Sequence, residues 1–231
     1  ALNCSHLRMT TTLYGAVGFD KSGDVVKNLL KKTYIHFHYM PWMACAKTTT
    51  KTRFVETSPV FPFIKHVMRW DDEAHFINKF FADGLMKHLT TDEPVIISDY
   101  DKGVVTKELM QRIHSWTHYT FVDPKQDPEV YRDAFLVKPN MKEYVKWNGR
   151  FDPQSANAFR KKYNWNNLIV TDSDNGIHMI DEHGNYYHAT TDCEAVVDVA
   201  GAGDTVISVL AYAISQGWDI AYANTEGATA V

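Results

Sequence analysis

Cysteine is scarce in this 231-residue chain: Cys4, Cys45 and Cys193 stand far apart with no paired spacing. That gives no disulfide framework and suits a reducing, cytoplasmic setting. No apolar stretch approaches the length of a membrane span, and no signal peptide is visible. A basic excess is also missing, since 24 Lys and Arg against 28 Asp and Glu leave a formal net charge of −4. This argues against a nucleic-acid or anionic-membrane partner. There is no internal repeat, low-complexity segment or clear linker, so one domain is a better count than two. The chain has 11 histidines, but His36-x-His38 is the one close pair and nothing nearby completes a zinc set. They read as surface or core residues. What is present is ordinary for a globular domain with a full core: 45% hydrophobic and 23% charged residues.

Apolar periodicity divides the chain into two regions. Residues 13–18 read as a strand and 22–32 as a helix with apolar Val25, Val26, Leu29 and Leu30. Residues 47–55 and 63–70 are β-branched and polar by turns, as expected of half-exposed strands. They are either edge strands or a flap carried on the main sheet. From 92 onward strands and helices alternate. Apolar runs at 94–98, 119–122, 134–137 and 167–170 are strands; helices are expected over 106–116, from Asn140, and over 153–163. Residues 176–179 and 186–189 form a hairpin, and helices from about 203 and about 220 close the chain. Strands that are apolar on both faces belong to a covered parallel sheet. The expected fold class is α/β: a doubly wound, mostly parallel sheet with helices on both faces and a small β flap.

The run Asp198-Val199-Ala200-Gly201-Ala202-Gly203-Asp204-Thr205 organises this plan. Two glycines let the backbone turn tightly and bring its N–H groups close to a ligand. The apolar run that follows is a buried helix, so those groups sit at its positive end, a ready anion site. A carboxylate at Asp204 would repel such an anion unless its task is to take a proton from a hydroxyl while the amides stabilise the transferred group. A plain N-cap is the bland alternative. Four more polar clusters fall at the carboxyl ends of strands, where open parallel sheets bind ligands: 98–103, 123–125, 138–143 and 171–176. Asn140 and Glu143 share a helix face, a spacing that fits a capping box as well as an oxygen site for hydrated Mg²⁺.

The Asp-x-x-Gly-Ala-Gly-Asp-Thr run resembles the signature of the ribokinase-like (PfkB-type) sugar kinases. Ser98-Asp99-Tyr100-x-Lys102-Gly103, Asp123-Pro124-Lys125, Pro139-Asn140-x-x-Glu143, Thr50-Lys51-Thr52-Arg53 and Arg69-Trp70-Asp71-x-Glu73 look like the branch that phosphorylates carbon 1 of D-glycero-D-manno-heptose 7-phosphate for lipopolysaccharide core precursors. The resemblance implies ATP and Mg²⁺ as cofactors, with Asp204 the base and Gly201, Ala202 and Gly203 the anion hole. Asn140 and Glu143 would organise Mg²⁺ through water. Lys125 would reach a phosphate, Ser173 and Gly176 would line the nucleotide pocket, and Asn224 would lie near adenine. Asn3, Gly18, Asp20, Lys51 and Arg53 would contact the sugar phosphate, the last two from one strand face as a phosphate clamp.

The same resemblance leaves room for a homodimer through the lid strands and for a fused adenylyltransferase domain outside this chain. It takes residues 1–231 as a single kinase domain, incomplete at both ends, with 47–70 as lid strands. Asp101 departs from the pattern by standing where these kinases usually have Gly. Two further readings stay open: a ribokinase-like kinase for another sugar or sugar phosphate, and a non-catalytic homologue that binds nucleotide or sugar phosphate.

Overall fold

Period-two alternation builds the main sheet and gives it two dry faces. The computed structural model describes residues 1–39, 47–57, 64–73, 81–89, 93–190 and 201–220. A short helix α1 (Leu2–His6) precedes β1 (Thr11–Gly15), α2 (Lys21–Leu30) and β2 (Ile35–Tyr39). The flap follows as β3 (Thr50–Thr57) and β4 (Ile64–Asp72), then α3 (Phe81–Met86). The alternating region comprises β5 (Val95–Ser98), α4 (Lys107–His114), β6 (Thr120–Asp123), β7 (Leu136–Val137), α5 (Met141–Asn148), α6 (Pro153–Lys162) and β8 (Asn167–Thr171). It closes with β9 (Ile177–Ile180), β10 (Tyr186–Ala189) and α7 (Ala202–Ser215). The helix expected from about 220 lies outside the described residues, as do Cys45 and Cys193, while Cys4 is buried with a free thiol.

Among the described residues β5 to β10 form one six-stranded sheet in chain order. β5 to β8 run parallel, and the β9–β10 hairpin adds an antiparallel edge. Adjacent residues point to opposite faces. Val122, Val137, Leu168 and Val170 pack with Leu109, Met110, Ile113, Tyr144 and Phe159 of α4 to α6 on one face. Phe121, Leu136, Ile169 and Met179 pack with Val206, Ile207, Leu210 and Ala211 of α7 on the other. Because the parallel strands advance in one direction, α4 to α6 share a face and α7 returns to cover the second.

Three features differ from the sequence reading. The first strand ends at Gly15 because Gly18 N–H donates to Thr48 Oγ1 at 2.9 Å, drawing residues 16–18 out of the ladder. β1 and β2 then pair parallel in a sheet of their own rather than extending the main one. α3 is a helix that the sequence reading does not include, although Leu85, Met86 and Leu89 recur at helical spacing and pack on the core. The flap matches its expectation: β3 and β4 are antiparallel, with a bulge between Phe54 and Val55. His36 and His38 lie on β2, where His38 stacks on Tyr14.

Asp181 pins the hairpin. Its carboxylate accepts from the N–H groups of His183 and Asn185, from Asn185 Nδ2 and from Tyr187 Oη. Burial works to raise its pKa, but these donors together hold it below the ordinary 3.8. The unfolded chain therefore takes up this proton first on acidification. The stability that Asp181 contributes is present above about pH 4 and is lost as pH falls through the folded-state value. Asp181→Ala is expected to cost about 1–3 kcal/mol at neutral pH and to flatten the acid limb of a urea-derived stability profile; an acid limb identical to the parent's would remove Asp181 from that role.

Candidate active site

The carboxyl ends of β5 to β8 and the start of α7 enclose a cleft of about 520 Å³. Its walls include Ser98, Asp99, Asp123, Lys125, Lys138, Asn140, Glu143, Thr171, Ser173 and Gly176, with Ala202 and Gly203 from α7 and Lys51 and Arg69 from the flap. All four polar clusters read from the sequence thus meet in one place. The flap reaches the same place from far away in the chain.

The start of α7 differs from those of α2, α4, α5 and α6. Side chains cap α2, α4, α5 and α6 through Asp20, Thr106, Asn140 and Asp152. α7 begins at Gly201 with no side-chain cap. Gly201 holds φ +95°, a left-handed conformation that a side chain rarely adopts. The first N–H groups of α7 are therefore left for a ligand, and the helix dipole favours an anion there. Asp204 is exposed in this first turn.

A buried ion pair supports the turn. Lys138, 2% exposed, places Nζ 3.1 Å from Asp123 Oδ1. A Cβ built on Gly203 would sit 3.0 Å from that Nζ, so glycine leaves the ammonium its space. Burial raises the pKa of Asp123 most; Lys138 pulls it back down, and the charges of Asp204 and Glu143 push it up. Those two carboxylates are thus close enough to Asp123 for their charge to be felt. Lys125 sits opposite, its Nζ 2.9 Å from Glu143 Oε1, a bond that raises its pKa.

Glu143 does two things at once. Its Oε2 accepts the Asn140 N–H at 3.0 Å while Asn140 Oδ1 accepts the Glu143 N–H at 2.9 Å, a complete capping box. Its Oε1 meanwhile faces Lys125 in the cleft. The capping and ligand readings are therefore compatible. Asp123, Asn140 and Glu143 supply hard oxygens beside two ammonium groups, a donor set suited to a hydrated divalent cation that also takes phosphate oxygens. Among the described residues no three His, Cys, Asp or Glu gather tightly enough to hold a metal unaided.

The loop after β6 is held from below by Tyr131, which is fully buried. Its hydroxyl accepts the N–H groups of Lys125 and Gln126, each at 2.8 Å, and donates to Asp99. Burial, then the bond to Asp99, raises the Tyr131 pKa and keeps the hydroxyl protonated. Asp99 Oδ1 in turn accepts the Asp101 N–H. Asp101 has φ +53° and is exposed, so it meets the backbone demand that glycine usually answers and turns its carboxylate to solvent.

The remaining expected residues divide. Ser173 and Gly176 line the cleft. Asn3 donates to Thr205 Oγ1 at 3.1 Å, beside Asp204. Asp20 caps α2 and also accepts from Thr48 N–H and Oγ1, each at 2.7 Å, and Gly18 joins the same knot. Lys51 lines the cleft and Arg53 does not; Asn224 lies outside the described residues. Lys138, Asp123 and Arg69 had no role in the sequence reading, because burial and cross-strand neighbours cannot be read from spacing.

Against this geometry, the profile of the pfkB family carbohydrate kinases matches residues 1–230. The chain belongs to the pfkB family of carbohydrate kinases. Among curated relatives of this pfkB chain, Bifunctional protein HldE of Haemophilus ducreyi is 33% identical over 228 residues, covering 94% of this chain and 46% of that protein. The protein of the same name from Rhodopseudomonas palustris is 32% identical over 254 residues, covering 100% and 50%. The chain spans about half the length of the curated relatives it matches. Phosphofructokinase-2 from Escherichia coli in complex with potassium superposes with a TM-score of 0.80 at 14% identity, over 98% of this chain and 76% of that one. Ribokinase from Thermotoga maritima gives 0.68 at 17% identity, over 94% and 72%. The fold is that of the ribokinase-like kinases.

Gly203→Val tests the turn in this pfkB chain. A branched Cβ there displaces Lys138 Nζ from its pocket and crowds the approach to the α7 amides. ADP binding is expected to weaken by about 10- to 100-fold, the worth of one charge-assisted hydrogen bond, with far-UV dichroism unchanged. Parent-like ADP affinity would reduce the turn to a plain helix start.

Proposed function

We propose that this chain is an ATP-dependent sugar-phosphate kinase, transferring the γ-phosphoryl group to the C1 hydroxyl of D-glycero-D-manno-heptose 7-phosphate. The observation that carries the reading is the cleft wall itself. It joins uncapped helix amides, two lysines and a capping-box carboxylate with cations from a separate flap. Such a wall suits a reaction in which positioning and charge stabilisation outweigh covalent chemistry. The amides of Ala202 and Gly203 face the transferred group, and Asp204 takes the proton of the attacking hydroxyl. Lys125 and Lys138 neutralise phosphate oxygens, with Asp123 holding Lys138 in its buried seat. Asn140 and Glu143 would hold hydrated Mg²⁺, which when bound neutralises nucleotide phosphate charge. Ser173 and Gly176 line the nucleotide side, with Asn224 assigned near adenine by family resemblance. On the sugar side Asn3, Gly18 and Asp20 are assigned by the same resemblance.

Heptose 7-phosphate is favoured over a plain sugar by the resemblance of the flap motifs and by the cations that the flap brings to the cleft. The relatives named bifunctional are about twice as long as this chain, which supports a second, adenylyltransferase domain in the whole protein. Phe54, Met68 and Trp70 share the outer flap face and are 45%, 51% and 64% exposed, an apolar surface that supports a homodimer through the lid strands. No helix among the described residues is long and apolar enough to cross a membrane; a cytoplasmic location is part of the proposal.

The direct test is ADP release on a panel of sugars and sugar phosphates, with heptose 7-phosphate expected to be strongly preferred. No sugar-dependent release from the full-length protein would leave a binding homologue instead. Asp204→Asn keeps shape and removes the base, so turnover is expected to fall by roughly 10²–10⁴ while ADP binding survives. Normal turnover would exclude Asp204 from proton transfer. Glu143→Gln retains an acceptor for the capping box but loses charge in the cleft. It is expected to raise the Mg²⁺ concentration needed for half-maximal rate; unchanged metal dependence with a lowered melting temperature would leave Glu143 a cap alone.

A further inference from the structure

The motif Arg69-Trp70-Asp71-x-Glu73 has no task in the reaction as described, yet it supplies one of the two flap residues in the cleft wall. The register explains how. Lys51 stands opposite Asp71 and Arg53 opposite Arg69, so these four side chains leave one face of the β3–β4 ribbon. Thr52, Phe54, Met68 and Trp70 occupy the other face. Two arginines directly opposite each other repel and destabilise a ribbon unless an anion lies between them. Asp71 answers part of that charge: it pairs with Arg69, and its pKa is lowered first by that bond. Three cations on this face thus meet Asp71, and Glu73 just past the end of β4 adds a second carboxylate, leaving the cations in excess. Glu73 lies 3.7 Å from Lys51 Nζ and is paired with Lys102 of the loop after β5, a contact that ties the flap to the body.

We propose that Arg69 is a specificity-determining residue: with Lys51 and Arg53 it grips the phosphate that the sugar substrate already carries, and Asp71 holds its guanidinium in place. The inference rests on the sugar-phosphate kinase reading above. A guanidinium has five N–H donors, so the bond to Asp71 leaves others for two-pronged contact with phosphate. Arg69 lines the cleft whereas Arg53 does not, which makes Arg69 the nearer arginine to a ligand there. Its side chain is 53% exposed, so replacing it leaves the core untouched.

Calorimetry on the full-length protein saturated with ADP tests this, with heptose 7-phosphate as the probe. Arg69→Gln is expected to weaken its binding by about 10- to 100-fold while ADP affinity stays within twofold. Arg69→Lys, which keeps the charge without the fork, is expected to recover part of the loss. Parent-like binding by Arg69→Gln overturns the proposal, as does a parallel loss of ADP binding, which would mark a merely structural role. Should Arg69→Gln fail to fold, Arg69→Lys carries the test, and sugar-phosphate binding no weaker than the parent's overturns the two-pronged grip. If the parent ignores heptose 7-phosphate, the substrate reading fails, and fructose 6-phosphate and ribose 5-phosphate become the probes. Loss in Arg69→Gln of whichever the parent binds supports the grip; a parent that binds none of the three overturns it.

Discussion

A lysine ammonium taken out of water must be paired, and the candidate site is arranged around one such pair. Lys138 follows β7 and Asp123 ends β6, so two adjacent parallel strands deliver the partners to the same level of the sheet. Removing Asp123 would strand the buried Lys138 charge, the costly half of such a salt bridge. Gly203 lies against the ammonium, which couples the pair to the start of α7. The sheet register, the buried charge and the open turn before α7 are therefore one mechanical unit. A shift of one residue in β6 or β7 would send Asp123 or Lys138 to the opposite face and dissolve it.

Helix ends divide the labour around this unit. At α2, α4 and α6 a side chain closes the helix start, through Asp20, Thr106 and Asp152. Where it faces the cleft, closure is either shared or withheld. Asn140 and Glu143 close α5 reciprocally and still leave Glu143 Oε1 for Lys125. α7 is left open altogether. An uncapped helix start forgoes about 1 kcal/mol of local stability, a small sum for a helix anchored by Val206, Ile207 and Leu210 in the core. The apolar run after the turn is what permits the turn to stay open.

The flap follows a different logic, that of a two-sided ribbon. Its alternation sends Lys51, Arg53, Arg69 and Asp71 one way and Phe54, Met68 and Trp70 the other. One face suits an anionic ligand and the other an apolar partner. Neither face contributes to the main core, so the ribbon depends on its contacts through Glu73 and Lys102 and on the Asp20–Thr48 knot at its base.

Local chemistry was legible in the sequence wherever the signal is carried by near neighbours. Continuous apolar runs announced β5 to β8 and a hairpin pattern β9 and β10, the Asn140 and Glu143 spacing allowed a capping box as well as a metal site, and the glycines at 201 and 203 announced an open turn before a buried helix. Those features depend on backbone periodicity and on side chains three or four residues apart. The burial of Lys138, its pairing with Asp123, the support of Lys125 by Tyr131 and the meeting of Arg53 with Arg69 were not legible. Nor was the departure of β1 and β2 into a sheet of their own. Each of these depends on which strands lie side by side and at what register. The sequence by itself determined most of the elements, the open glycine turn before α7 and the polar character of the cleft. Tertiary structure alone decided which charges lost their water and therefore had to find one another, because desolvation is a property of packing and not of residue order.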